Sequence, residues 1–280
     1  MSAAAVDVTG LTKTYPDGRS RGRNTGGHRA LDGVDLRVEP GETVALVGSN
    51  GAGKSTLLRC LVRLHEPTDG TVHLHGIDVG NANRRQLRRI RTDVGFVFQR
   101  YPLVKRLSAF HNVLHGAMGR QGSRCVSPLT APDDTRRDAM DCLDRVGLAD
   151  LATQRAGTMS GGQQQRVAIA RLLMQDPTLI LADEPVASLD PVAGVEVMEL
   201  LTDIAAERGL TVIAALHQLD YALRFTQRIV GLQHGRLTLD QPSATCDAGQ
   251  LNEIYGAAPP AHAHTTVAEH EHTRTAAATA

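Results

Sequence analysis

Two runs of residues in this chain have the types and spacing needed to handle a nucleoside triphosphate. The first, Gly48-Ser49-Asn50-Gly51-Ala52-Gly53-Lys54-Ser55-Thr56, lies between an apolar strand pattern, Thr43-Val44-Ala45-Leu46-Val47, and an apolar helix start at Leu57-Leu58. Its glycines let the backbone wrap tightly, so that successive N–H groups and the positive end of the following helix point at phosphate oxygens. In such a loop Lys54 reaches the β- and γ-phosphates, and the Ser55 hydroxyl sits on Mg²⁺. The second run, Leu179-Ile180-Leu181-Ala182, is a fully apolar strand pattern that ends in Asp183-Glu184. Ligands bind at the carboxyl ends of strands in parallel sheets, which places this acidic pair beside the phosphate loop. Asp183 then belongs to the Mg²⁺ shell, and Glu184 is placed to orient or deprotonate an attacking water.

Three further features fit the same chemistry with less specificity. Gln99 follows an apolar strand and could reach the metal or the water, although a glutamine there is equally well loop surface. His217 ends the strand Leu210 to Leu216, where it could hydrogen-bond a γ-phosphate; a lone histidine at a strand end is also often incidental. Ser160-Gly161-Gly162-Gln163 is a small-residue turn opening a long helix, a second candidate anion site. One nucleotide has one γ-phosphate, so two such sites in one copy are redundant. In a head-to-tail dimer the turn of one copy closes over the nucleotide of the other, and the redundancy disappears.

The elements that must position these groups follow from periodicity. Val6 to Tyr15 alternates like a strand and meets the turn signal Pro16-Asp17-Gly18; Ala30 to Val38 resumes alternation after a Gly/Arg/Asn-rich loop from Arg19 to Arg29. Another strand pair is expected around Thr71 to Gly76, then an arginine-dense helix, Arg84 to Arg91, and the strand Val94 to Phe98. No aromatic residues interleave with those arginines to stack bases, so a solvated helix face is expected rather than a nucleic-acid surface. From Gln99 to Thr158 the pattern is helical, with Pro132-Asp133-Asp134 as a start signal. Strand–helix alternation then returns: the helix Gln163 to Met174, the strand Thr178 to Ala182, the helix Val192 to Glu207 and the strand Leu210 to Leu216. The fold expected is α/β, a mainly parallel sheet with flanking helices, an antiparallel β layer at the start and an inserted helical subdomain.

The totals exclude some classes. Lys+Arg and Asp+Glu are equal at 30 each in 280 residues, so no global field draws the chain to nucleic acid or anionic lipid. No run of about eighteen apolar residues is present, and the N-terminal residues lack a basic segment followed by an apolar one, so a cytosolic protein without its own membrane span is expected. Cys60, Cys125, Cys142 and Cys246 show no C-x-x-C pairing and read as reduced packing residues.

Taken in order, these motifs resemble the ATP-binding subunits of ABC transporters, from about Val6 to Gly256. The resemblance makes the core a P-loop NTPase and Gly48 to Thr56 its P-loop. It also makes Gln99 the Q-loop glutamine, Ser160 to Gln163 the signature, Asp183-Glu184 the Walker B pair, Ser188-Leu189-Asp190 the D-loop and His217 the switch histidine. It implies that Tyr15 stacks on adenine, that ATP and Mg²⁺ are bound, and that Mg²⁺ is held by Ser55, Gln99 and Asp183. The domain is then 1–256, with the helical subdomain at about 100–158 and a disordered tail at 257–280. Implied partners are a second copy, two membrane permease subunits and an extracytoplasmic substrate-binding protein, at the cytoplasmic face of the membrane.

A narrower similarity, to phosphonate importer ATPases, is carried by Leu103 to Ser108, Asn112 to Gly116, Asp183 to Pro191, Leu216 to Ala222, Arg228 to Leu232 and Ile254 to Gly256. The chain departs from that pattern in its longer 19–29 loop, Met159 for the usual leucine, His111 where an acid is common, and the extra tail. Met for Leu conserves volume, whereas His111 bears on permease pairing. Four of the twelve histidines lie in that tail, as His262-x-His264 and His270-x-His272, so a metal-ion importer ATPase is one rival reading. A soluble ABC ATPase in a phosphonate-degrading complex is another. A nucleic-acid-handling ABC ATPase is disfavoured, because those usually carry two cassettes and a basic surface.

Overall fold

The computed structural model describes residues 3–16, 27–98, 102–247, 249 and 254–255. Gln99, most of the 19–29 loop and the 257–280 tail lie outside them. In chain order the regular elements begin with strands β1 (Val6–Tyr15), β2 (His28–Val38) and β3 (Thr43–Val47), helix α1 (Lys54–Leu61), strands β4 (Asp69–Leu74) and β5 (Ile77–Asp78), helix α2 (Arg84–Asp93) and strand β6 (Val94–Val97). Helices α3 (Ala109–Leu114), α4 (Met118–Gln121), α5 (Asp133–Arg145) and α6 (Gly161–Gln175) follow. The chain continues with β7 (Leu179–Asp183), α7 (Pro191–Arg208), β8 (Thr211–Ala215), α8 (Leu219–Phe225), β9 (Arg228–Gln233) and β10 (Arg236–Pro242).

The strands form two sheets. One is antiparallel, in the order β2-β1-β4-β5; the other runs β10-β9-β3-β8-β7-β6, parallel throughout except for the β10–β9 hairpin. Alternate residues of the parallel strands enter two different cores, as a strand period of two requires. Val44, Leu46, Leu179, Leu181, Ile213 and Ala215 pack with Leu57, Leu58 and Leu61 of α1 and with the antiparallel sheet. Ala45, Val47, Ile180, Ala182, Val212 and Ala214 pack with α3, α5, α6 and α7. With both faces buried, polar side chains can be accommodated only at strand ends, and that is where the chemistry-bearing residues lie.

Between β6 and α6 the described chain is helical, with α3 and α5 packed on α6 and its base pinned by an isolated antiparallel bridge between Ser108 and Arg155. Asn112, 1% exposed, holds the preceding loop: its carboxamide oxygen accepts the Val104 N–H at 2.8 Å, and its nitrogen donates to the Ser108 carbonyl at 2.9 Å. His111 pairs through Nδ1 with the Ser108 hydroxyl at 2.8 Å and faces a cleft with Phe110, Arg136 and Met140. Arg84, Arg85, Arg88 and Arg89 of α2 are exposed, and the helix is closed by an Asn83–Gln86 capping box. Those four arginines form a solvated face, as the sequence implied, whereas Arg91 donates to the carbonyls of Val62 at 3.1 Å and Arg63 at 2.7 Å.

The β9–β10 hairpin and α8 were not evident from periodicity. Two tight hairpin turns among the described residues, His75-Gly76 and His234-Gly235, have positive φ at both central residues, the geometry that matches strand twist. Only glycine at the second position signals such a turn, and histidine at the first hides it. The second turn also supports the phosphate loop: the Gly235 N–H donates to the Ala52 carbonyl at 3.0 Å, and the Asp32 N–H donates to the Gly235 carbonyl at 2.9 Å. At Gly235, φ is +80° and an added Cβ would lie 2.8 Å from the Ala30 carbonyl oxygen. Gly235→Ala is therefore expected to destabilise by about 1–2 kcal/mol, seen as a Tm lowered by about 3–8 °C in a thermal melt.

Candidate nucleotide site

The phosphate loop owes its shape to its neighbours. At Gly48, φ is +149° and any Cβ would sit 2.2 Å from the Leu232 carbonyl oxygen of β9, so close strand packing excludes every other residue. Gly53, φ +111°, caps α1 with no side-chain hydrogen bond, leaving the first N–H groups of the helix directed at the loop's concavity. The concavity is a cavity of about 210 Å³ lined by Tyr15, His28, Ala30, Asn50 to Thr56 and Glu184.

Lys54 is 4% exposed, and its ammonium donates to the carbonyls of Gly48 at 2.6 Å and Ser49 at 3.2 Å. Burial pushes its pKa below the ordinary lysine value, with Glu184 and Asp183 opposing. Such a cation gains most from an anion brought into the cavity. Asp183, 3% exposed at the end of β7, accepts from the Ser55 hydroxyl at 2.6 Å on one oxygen and from Arg59 at 3.2 Å on the other. Ser55 and Arg59 are one helical turn apart on α1, so one helix face holds both carboxylate oxygens. Glu184 follows with φ +53°, a conformation costly for a residue with a Cβ. Its N–H donates to the Ala215 carbonyl at 3.2 Å, and its carboxylate pairs with Nε2 of His217. The ends of β7 and β8 thus bring Asp183, Glu184 and His217 up to the α1 N-terminus.

Ser160 caps α6. Its hydroxyl accepts the Gln163 N–H at 3.2 Å, and Gln163 Oε1 accepts the Ser160 N–H at 3.0 Å. The hydroxyl hydrogen is not used by the cap. Gly161 and Gly162 lie against Leu189 and Ala193, yet none of Ser160 to Gln163 lines the Lys54 cavity of the same copy.

The family description "ABC transporter" matches residues 31–187, more than half of the chain. The chain belongs to the ABC transporter family. Among its relatives are the "Phosphate-import ATP-binding protein PhnC" of Mycolicibacterium smegmatis, 52% identical over 83% of this chain and 88% of the relative, and the "Phosphonates import ATP-binding protein PhnC" of Frankia casuarinae, 48% identical over 91% and 98%. Among solved structures, the dimeric ABC transporter cassette MJ0796 matches with a TM-score of 0.74 at 34% identity, covering 85% of this chain and 98% of that one.

For this ABC family member, residue spacing did not single out four residues at or beside the site. Arg59, four residues after Ser55 on α1, gains its role only from Asp183 placed opposite. His28 and Ala30, which border the cavity, carry no sequence signal. Tyr255 donates from its hydroxyl to the Leu216 carbonyl at 3.1 Å, beside His217; burial pushes its phenol pKa up, and the Gly48 amide opposes this. Lys54→Ala removes the buried cation and is expected to weaken MgATP binding by about 2–3 kcal/mol, roughly 30- to 150-fold in Kd by titration calorimetry.

Proposed function

We propose that this chain is the ATP-hydrolysing subunit of an ABC importer, working as a dimer at the cytoplasmic face of the membrane beneath two permease subunits served by an extracytoplasmic binding protein. The observation that carries the reading is the convergence of Lys54, Ser55 and Glu184 on one loop-lined cavity at the strand ends, with Asp183 bonded to Ser55 and His217 to Glu184. Among the described residues no helix is long and apolar enough to cross a membrane, so the path for cargo is assigned to the permease.

In this mechanism Lys54 exchanges its Gly48 and Ser49 carbonyls for β- and γ-phosphate oxygens, joined by the amides of Gly51 to Thr56. Ser55 and Asp183 are adjacent hard oxygen donors, as Mg²⁺ prefers. They would hold the ion together with Gln99, and it would neutralise charge on the β- and γ-phosphates. Glu184 takes the proton of the attacking water, whose oxygen bonds to the γ-phosphorus as the bond to ADP breaks. His217 orients Glu184 and contacts the γ-phosphate. Ser160, Gly161 and Gly162 of the other copy donate to the γ-phosphate, with Gln163 holding the Ser160 cap, and Tyr15 stacks on adenine. Binding closes the dimer and drives the permeases; hydrolysis reopens it.

For cargo, relatives named for phosphonates and for phosphate both support a phosphorus oxyanion, with phosphonate as the first choice. Two measurements test the proposal. Glu184→Gln is expected to lower ATP turnover by about 10²- to 10⁴-fold while MgATP binding persists; wild-type turnover in this variant refutes the role given to Glu184. The substrate-binding protein that delivers cargo to this transporter is expected to bind phosphonate or phosphate in a calorimeter, and selective retention of Zn²⁺ would move the assignment to a metal importer.

A further inference from the structure

The turn that ends α1 does more than stop a helix. Arg63 adopts φ +52°, and the Arg63 and Leu64 N–H groups donate to the carbonyls of Cys60 at 3.0 Å and Arg59 at 2.8 Å. This double closure turns the chain back on itself. The reversal delivers His65 and Glu66 to the end of β1. There His65 Nδ1 lies 2.5 Å from the Tyr15 hydroxyl, with the two rings edge to face at a centroid separation of 5.7 Å. Glu66 acts on the same ring indirectly: its carbonyl accepts the Lys13 ammonium at 2.6 Å, and that ammonium stands 5.0 Å from the Tyr15 centroid, over one face. Two consecutive residues therefore fix the hydroxyl of Tyr15 and the cation covering it, while Tyr15 itself lines the cavity with the phosphate loop.

Burial, then Arg59 and Lys13, hold the His65 imidazole below its ordinary pKa. At neutral pH the ring is uncharged and can accept the phenol proton at Nδ1. A tyrosine at a strand end has free rotation about two side-chain bonds, and stacking a base on it costs that freedom unless the ring is already held.

We propose that His65 is a positioning residue for the nucleotide base: through the Tyr15 hydroxyl it sets the ring, with Lys13 on one face, so that the other face is presented to the purine. Helix α1 then serves both ends of the ligand, its N-terminus gripping the phosphates and the turn after its C-terminus holding the base platform. The inference rests on the reading of the cavity as an ATP site.

The test is titration calorimetry of the full chain with MgATP and, separately, with inorganic tripolyphosphate, which keeps the phosphates and lacks the base. The variants are His65→Leu, Tyr15→Phe, which keeps the ring and removes only the hydroxyl, and the double substitution. Each single change is expected to weaken MgATP about fivefold and the pair no more than either alone, with tripolyphosphate affinity unchanged. Wild-type MgATP affinity in either single variant, losses that multiply to about 25-fold in the pair, or an equal loss for tripolyphosphate would overturn the role given to His65. If the unsubstituted chain binds no MgATP at all, the nucleotide reading itself fails.

Discussion

A carboxylate almost wholly removed from water sets the terms for the rest of this molecule. Asp183 ends a strand buried on both faces, and a charge in that position is tolerated only when its oxygens are paired. Ser55 and Arg59 supply the pairing, one oxygen each, from a single face of α1. This ties the helix that follows the phosphate loop to the centre of the parallel sheet and fixes how far the loop stands from the strand ends. The positive φ of Glu184 follows from the same geometry: the chain leaves the sheet immediately after Asp183 and throws the next carboxylate toward His217 and the cavity.

The same layering explains why the site is built at one edge. Alternate strand residues go to opposite cores, so the sheet has no polar surface except at its ends, and the loops emerging there carry nearly all the groups that can meet a phosphate. The antiparallel layer contributes from the side, bringing Tyr15, His28 and Ala30 to the cavity wall. Among the described residues, the helical segment between β6 and α6 contributes nothing to that wall. The capped turn at Ser160, an anion-competent feature, is held in shape by α6 and does not line the cavity of its own copy. A site that is complete in charge but open toward solvent, together with a preformed donor turn that does not line the cavity of its own copy, has a simple resolution in the pairing of two copies.

Much of this was legible in the sequence because the informative residues are consecutive. The phosphate loop, the acidic pair after four apolar residues and the Ser-Gly-Gly turn announce themselves locally, and continuous apolar runs at β7 and β8 signal strands buried on both faces. What was not legible depends on contacts between distant segments. Nothing local at Arg59 says that it will meet a carboxylate, and its spacing from Ser55 acquires meaning only once Asp183 is placed opposite. The pairing of Tyr15 with His65 spans fifty residues and depends on a helix end closed by a non-glycine residue in the left-handed region, which no propensity suggests. The β9–β10 hairpin was concealed because histidine, rather than asparagine or aspartate, precedes the turn glycine.

The central claim is that one copy's Lys54 cavity is completed by the Ser160 turn of another, and the most direct measurement is complementation in the assembled transporter. One copy carries Lys54→Ala and retains its turn; the other carries Gly161→Glu and retains its phosphate loop. The account predicts that each variant alone is inactive in ATP hydrolysis and that mixing them restores hydrolysis, because a mixed pair contains one whole site. Hydrolysis at the wild-type rate by the Gly161→Glu chain on its own would contradict it, since the cavity would then need nothing from a second copy.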